Sequence, residues 1–452
     1  MEEKIEYLEK TIKDLIINKK YHDLRKLLDE ENEADLAEVF ETIENEENMV
    51  LLFRLLPKDK AAEVFAYLPI ETQHIIIKLL TNAEVGQIIR DLNSDDAVDM
   101  LEEMPANVVK KILALADPQT RRDINSLLQY PEDSAGSIMT VEFVDLRSFM
   151  SVNDAIDRIR KTGTDSETIN YCYVTDAQKH LLGVVSLREI ILAKPHEKIE
   201  DLMDENIITV TTLQDQEEVA KLFKKYDFAA MPVVDQEERL VGIITVDDVM
   251  DILEEEVTED IEKMAAITPN DQPYMKTSVF ETYKKRIPWL LLLMISASIT
   301  GKIIQGFEEA LASCVILTAF IPMLMDTGGN CGSQASVSVI RALSLDEIEF
   351  HDLPIVIWRE IRVSILVGLT LAVANFFKIL LIDQTSMLVA FVVCFTLFLT
   401  VVVAKFVGCT LPVLASKLGF DPAVMASPFI TTIVDALSLL VFFNIATMFL
   451  GI

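Results

Sequence analysis

Ser427-Pro-Phe-Ile-Thr-Thr-Ile-Val-Asp-Ala-Leu-Ser-Leu-Leu-Val-Phe-Phe443 is apolar enough to lie in a bilayer, yet Asp435 sits in its middle. A carboxylate at that depth costs about 2.5–3.5 kcal/mol on insertion scales unless it faces protein, water or an ion. At ~100° per residue, Ser427, Thr431, Asp435 and Ser438 share one helix face. An anionic stripe on a greasy helix has two readings. Either the carboxylate pairs with a basic group on a neighbouring helix, or it marks a cation site in a permeation path.

The surrounding chain favours the second. Residues 1–285 hold 32 of the 40 Lys and Arg and 61 of the 72 Asp and Glu, a net charge of −29; residues 286–452 hold the remaining 8 and 11, net −3. The first part reads as soluble and strongly acidic, the second as membrane. Such acidity repels nucleic acid and acidic lipid and attracts cations. The five cysteines are scattered and mostly within apolar runs, with no disulfide framework or zinc spacing. The opening Met-Glu-Glu-Lys-Ile-Glu-Tyr is no signal peptide, so the soluble part is expected to stay in the cytoplasm.

Apolar segments near 287–307, 311–340, 353–382, 387–414 and 425–451 are each long enough to span, which predicts five helices. Lys284, Lys285 and Arg286 precede the first, Arg341 lies between the second and third, and Lys417 between the fourth and fifth. The positive-inside rule then places the N-terminus in the cytoplasm and the C-terminus outside.

Residues 1 to about 130 carry apolar residues at three- and four-residue spacing, the mark of helix. Ala-Glu-Val-Phe occurs at 37–40 and 62–65 and Ala-Glu-Val-Gly at 83–86, punctuated by Leu56-Pro57, Leu68-Pro69 and Met104-Pro105. This predicts stacked helical hairpins, a small solenoid. Asn93-Ser-Asp-Asp96 reads as a loop and N-cap, with Asp95 and Asp99 on one helix face.

Residues from about 136 to 256 change to strand patterns. Leu182-Gly-Val-Val-Ser-Leu-Arg-Glu returns as Val241-Gly-Ile-Ile-Thr-Val-Asp-Asp, so that Gly183 maps to Gly242, Ser186 to Thr245 and Glu189 to Asp248. This tandem repeat resembles a pair of CBS domains. The resemblance implies an adenine nucleotide pocket, ATP among its candidates, lined by Tyr171, Arg188, Glu189 and Phe228; the pair can also serve only as scaffold. From Asp247 to about Met264 runs a dense acidic helix that joins this pair to the membrane. It ends at Thr268-Pro-Asn-Asp-Gln-Pro273, and a second short helix is expected to deliver Lys284-Lys-Arg286 to the bilayer.

Phe320-Ile-Pro-Met-Leu-Met-Asp-Thr-Gly-Gly-Asn-Cys-Gly-Ser-Gln-Ala-Ser336 in the second span combines glycines with oxygen donors. Glycines in a membrane helix give close packing or a local break. Oxygen ligands suit Mg2+ or Ca2+ rather than a soft metal. With Pro428…Thr431-Thr-Ile-Val-Asp435, this motif is similar to that of the MgtE family of magnesium channels and transporters, and the resemblance runs the length of the chain. It implies a multidomain membrane protein: an all-α superhelical N-domain at 1–132, an α/β tandem CBS pair at 133–200 and 201–256, a long acidic connecting (plug) helix and membrane approach at 247–283, and an all-α five-span transmembrane domain at 284–452.

It further implies a homodimer with its pore between the two membrane domains, lined by the second and fifth spans. Asp435 falls on the family's pore aspartate, with Thr431, Thr432, Asn330, Gly329 and Asp326 beside it. Cytosolic Mg2+ then closes the pore by bridging acids on the soluble parts, assigned here to Asp95, Asp96, Asp99, Glu217, Asp227, Asp248, Asp251, Glu256, Glu259 and Asp260. The alternative is a broader carrier of Co2+, Ni2+ or Mn2+ under nucleotide regulation. An anion channel would need a basic vestibule, which is missing here. A membrane enzyme lacks support, because His22, His74, His180, His196 and His351 are scattered. A motor-switch-like scaffold fits the helical N-domain alone and leaves the spans unexplained.

Overall fold

The computed structural model describes residues 2–43, 45–102, 104–270, 274–275, 277–425 and 427–451, the side chains of residues 2, 59 and 427 excepted. Residues 271–273 of the expected break, and the Ser427 side chain of the polar stripe, therefore lie outside the described residues. The chain forms two compact units, Met1–Leu253 and Glu254–Ile452.

The first unit begins with ten short helices: α1 (Glu2–Ile17), α2 (Tyr21–Glu30), α3 (Glu33–Glu41), α4 (Glu46–Leu55), α5 (Lys58–Ala66), α6 (Ile70–Leu79), α7 (Asn82–Asp91), α8 (Ser94–Glu102), α9 (Ala106–Leu115) and α10 (Thr120–Leu127). Each prolines ahead of α5, α6 and α9 fits because the first helical turn needs no intrahelical N–H. Helices two apart in sequence touch, α3 on α5, α5 on α7 and α7 on α9, which is solenoid stacking. The repeated Ala-Val-Phe positions supply the seam. Phe40, Phe53 and Phe65 are buried and meet edge-on at 6.2 and 6.0 Å.

Two α/β copies follow. The first comprises β1 (Phe143–Arg147), α11 (Val152–Thr162), β2 (Thr168–Thr175), β3 (Leu181–Ser186) and α12 (Leu187–Leu192). The second comprises β4 (Val210–Thr211), α13 (Gln216–Tyr226), β5 (Ala230–Val234), β6 (Leu240–Thr245) and α14 (Val246–Met264). The sheets run β1-β2-β3 and β4-β5-β6, each with one parallel and one antiparallel pair. The mapped glycines play matching parts. A Cβ on Gly183 would meet Met203 Sδ at 2.7 Å, and one on Gly242 would meet Met139 Sδ at 2.6 Å. Strand-like residues thus cross the same point of both sheets, where Val184 bridges Asp204 and Ile243 bridges Thr140. One apolar core joins the solenoid to the second copy, from Leu8 through Ile252.

In the second unit α15 (Val279–Gly306) is one continuous helix. The separate short helix expected before the bilayer does not form. Ser278 caps the Glu281 N–H, and helical bonding runs unbroken from there past Lys284. After α16 (Glu308–Ser313) a tight turn at Val315–Phe320 precedes α17 (Ile321–Ser344). The second span is therefore broken rather than a single helix from 311, and Pro322 falls in the first turn of α17, where its missing N–H is not needed. α18 (Leu353–Lys378), α19 (Met387–Lys417) and α20 (Ser427–Leu450) complete the bundle. Among the described residues four helices are long and apolar enough to cross a membrane, those containing α15, α18, α19 and α20. The fifth, α17, has the length, but its Asp-Thr-Gly-Gly-Asn segment is polar.

The α17 glycines produce close packing and no break. A Cβ on Gly332 would lie 2.9 Å from Ile430 Cγ2, and one on Gly408 would lie 2.3 Å from the Gly332 carbonyl oxygen. Backbones of α17 and α19 touch there, so no side chain fits at Gly408. α17 is thereby wedged between α19 and α20.

Candidate functional site

The polar seam of the bundle is where α17 meets α20. Gly329 is buried, and a Cβ on it would stand 2.8 Å from Thr431 Cγ2. The missing side chain lets Thr431 reach the α17 backbone, and one turn on along α20 comes Asp435. Asp435 is half-buried, and Asp326 on α17 is close enough to act on it electrostatically. Among the described residues no basic side chain pairs with Asp435, and its Oδ1 has no hydrogen-bond partner. The ion-paired alternative for this carboxylate thus finds no partner among the described residues. Asn330 and Asp326 are exposed, and Thr432 donates its hydroxyl to the Pro428 carbonyl at 3.0 Å, leaving its lone pairs to accept. Ser336 has a different role: it is fully buried and donates to the Met425 carbonyl, anchoring the turn before α20 to α17.

A bundle ion pair does exist, and sequence reasoning missed it. Lys405 on α19 meets Glu360 on α18 at 3.3 Å, with side chains only 6% and 15% exposed. The available signal was a lysine in the middle of a 31-residue apolar helix.

The acids of the first unit converge from three elements. Asp95 and Asp96 open α8, Asp247 and Asp248 open α14, and Glu142 and Glu167 come from the first α/β copy. Glu142 Oε2 accepts from the Ser94 hydroxyl and the Thr140 hydroxyl, both at 2.6 Å, and Asn93 Nδ2 donates to Glu167. Asp248 accepts from the Thr245 hydroxyl at 2.6 Å, just as Glu189 accepts from Ser186 at 2.7 Å in the first copy. The repeat thus aims the same acid position at a different place in each copy. Burial, then the Asp248 charge, pushes Asp96 up to about 6. Burial, then Asp248 and Asp247, lifts Glu167 to about 7. Asp95, only 6% exposed, is raised well above the carboxylate range by the same causes.

Glu142, Glu167 and Asp247 were not foreseen, because nothing local in sequence links them to α8. Other assigned acids lie elsewhere. Asp99, one turn along α8 from Asp95, is exposed while Asp95 is buried. Glu217 pairs with Lys221 at 3.0 Å and Asp227 is an exposed left-handed cap of α13, whereas Asp251, exposed one turn along α14, acts on Asp248 through its charge. Glu256, Glu259 and Asp260 belong to the second unit. There Glu259 is neutralised by Lys263 at 2.6 Å, which also reaches Asp421 at 2.7 Å. Among the described residues no three His, Cys, Asp or Glu side chains close tightly enough to cage an ion. Spaced carboxylates of this kind suit an ion that keeps its waters.

Asn170, Tyr171, Ser186, Arg188, Glu189 and Asp204 line an open pocket of 990 Å³ in the first copy. Phe228 is not among its lining residues; it stacks on Tyr226 at 5.5 Å and packs on the core of the solenoid and second copy.

An acidic α-solenoid, a tandem α/β pair and a helix bundle closed around a polar seam define a multidomain membrane protein. Family models match at residues 31–133 (MgtE intracellular N domain), 135–196 and 199–255 (CBS domain) and 321–445 (MgtE, divalent cation transporter). The chain is 38% identical to the magnesium transporter MgtE of Thermus thermophilus, covering 94% of this chain and 95% of that one. It is 36% identical to its Bacillus subtilis counterpart, covering 96% of each. A crystal structure of the cytosolic domain of the Mg2+ channel MgtE in complex with ATP matches at 38% identity and TM-score 0.51, covering 54% of this chain and 99% of that one. The soluble part of a magnesium transporter matches at 28% identity and TM-score 0.53, covering 56% and 99%. The chain belongs to the MgtE family of divalent cation transporters.

Proposed function

We propose that this protein carries Mg2+ into the cell down its electrochemical gradient, as a homodimer in the cell membrane with its solenoid and CBS pair in the cytoplasm and its C-terminus outside. The observation that carries the proposal is Asp435: an intramembrane carboxylate with no basic partner among the described residues, one turn along α20 from Thr431, which faces Gly329 of α17. Mg2+ holds its water tightly, and a carboxylate from each subunit can bind the hydrated ion through that water. Inward movement gains ~2.3 kcal/mol per charge per 100 mV. Cytosolic Mg2+ closes the pore by relieving repulsion among Asp95, Asp96, Asp248, Glu142 and Glu167, a ligand favouring one of two states. The test is uptake into liposomes holding the purified chain, with an inside-negative potential. Mg2+ influx that falls as Mg2+ is raised on the cytosolic face is expected. Absence of influx sinks the proposal, and equal passage of Co2+, Ni2+ and Mn2+ would favour the broader carrier.

The pocket at Tyr171, Arg188 and Glu189 supports binding of ATP or another adenine nucleotide, the acid reaching ribose hydroxyls. Its volume is within the range of small-molecule sites. Calorimetry should show ATP binding weakened at least tenfold by Glu189→Ala, the scale of one lost charge-assisted hydrogen bond of about 1.5–3 kcal/mol. Unchanged affinity would move the nucleotide elsewhere.

A further inference from the structure

Four polar side-chain atoms of α19 and α20 are sealed inside the bundle. Thr396 Oγ1, Thr400 Oγ1, Ser438 Oγ and Asp435 Oδ1 have no hydrogen-bond partner among the described residues. Thr396 and Thr400 are fully buried and Ser438 is 1% exposed. Buried hydroxyls are almost always satisfied, by protein or by ordered water, and a hydroxyl left alone is unfavourable. Valine and alanine would fill the same space without that cost, so packing alone does not explain three hydroxyls here.

Their placement points at Asp435. Thr396 and Thr400 are one turn apart on α19, and Asp435 and Ser438 are three residues apart on α20, neighbours on each helix surface. Gly328 of α17 joins the two pairs: its absent Cβ would lie 2.8 Å from Thr400 Cγ2 and 2.9 Å from Ser438 Oγ. The Thr400 methyl, whose hydroxyl shares its Cβ, and the Ser438 hydroxyl therefore converge on one point. Asp435 is only half-buried, and Oδ1 is the oxygen it turns inward.

We infer that Thr400 and Ser438, with Thr396 behind them, are positioning residues for Asp435. Through water held between the helices they hydrogen-bond Oδ1 and fix how the carboxylate presents its other oxygen to a hydrated divalent cation. Such a water needs two to four polar partners, and the cluster supplies them. The inference rests on the Mg2+ reading above. Outer-sphere recognition depends on carboxylate orientation, since the ion's own waters are the donors. Groups that orient a ligand in this way typically change ion affinity about 10–100-fold.

The structure separates hydroxyl from methyl at Thr400, because the methyl packs on Gly328. Full-length Thr400→Val, Thr400→Ser and Ser438→Ala should be reconstituted, and initial Mg2+ uptake measured against external Mg2+. Thermal midpoint and elution volume serve as folding controls. Thr400→Val and Ser438→Ala are expected to raise the half-saturating Mg2+ about tenfold, while Thr400→Ser stays within about twofold of wild type. Pure packing predicts the reverse at Thr400, with Val harmless and Ser damaging, and that result overturns the inference. So does an unchanged half-saturating Mg2+ in both hydroxyl-free variants. If Thr400→Val does not fold, Ser438→Ala alone decides. Failure of the wild type to take up Mg2+ would instead bring down the transport reading itself.

Discussion

Asp435→Ala is expected to reduce Mg2+ uptake by the reconstituted protein to about a hundredth of the wild-type rate or less, the loss that ~3 kcal/mol of ion stabilisation represents. Folding and dimer assembly should survive, because among the described residues the carboxylate pairs with no basic group whose charge its loss would leave buried. Alanine even removes the insertion cost of the acid, so thermal stability is expected to be equal or higher. The combination of lost flux and retained stability is the signature of a site rather than a strut. Asp326→Ala should cost less, since Asp326 is exposed and acts on Asp435 only through space. Near-normal flux in a well-folded Asp435→Ala protein would move the ion site elsewhere, with Asp326 the first place to look.

The seam was legible because its two halves carry local marks. An acid in an apolar helix and a Gly-Gly-Asn-Cys-Gly run are both visible in a short window of sequence. Their meeting was not visible, because it depends on which helix faces fit, and the fit turns on single absent methyl groups at Gly328, Gly329 and Gly332. The tandem repeat was readable for the same reason as the acid: Gly183, Ser186 and Glu189 recur in register as Gly242, Thr245 and Asp248. The acidic junction was only half readable. Asp95, Asp96 and Asp248 stand out in sequence as clustered acids, but Glu142 and Glu167 are ordinary loop and strand-edge acids until the fold brings them to α8. Conversely, Glu259 looked like part of an acidic ligand surface and is paired with Lys263. Helical spacing i, i+4 would have revealed that pair. The break in the second span has a mark in the sequence at Pro322, but Pro288 and Pro412 lie inside unbroken helices, so a proline alone did not distinguish it.

The junction leads to a pH dependence of unusual sign. Asp96 moves from an ordinary 3.8 to about 6 and Glu167 from 4.5 to about 7. A carboxyl with a raised folded pKa binds its proton more tightly folded than unfolded, so stability is greatest below the unfolded value and falls as pH rises through the folded one. The window is therefore about pH 4 to 7. For Asp96 alone the shift corresponds to about 3 kcal/mol at neutral pH. Below that window the sign reverses. Glu84 is held down at about 2 by its bond to Arg54, and its contribution is lost as pH falls. The measurement uses residues 1–264, the solenoid, the α/β pair and α14, expressed without the bundle. Without divalent ions their thermal midpoint is expected to peak near pH 4 and to drop by about 6 °C or more by pH 7.5. Millimolar Mg2+ should restore most of the loss at pH 7.5 and add little at pH 5, where protons already neutralise the cluster. General repulsion from the large negative charge would act in the same direction, so the control is Asp96→Asn with Glu167→Gln. That pair should flatten both the pH slope and the Mg2+ response while leaving the other acids in place. A midpoint that rises from pH 5 to 7.5, or an Mg2+ response untouched by the double substitution, would mean that this junction is not where the soluble unit senses the ion.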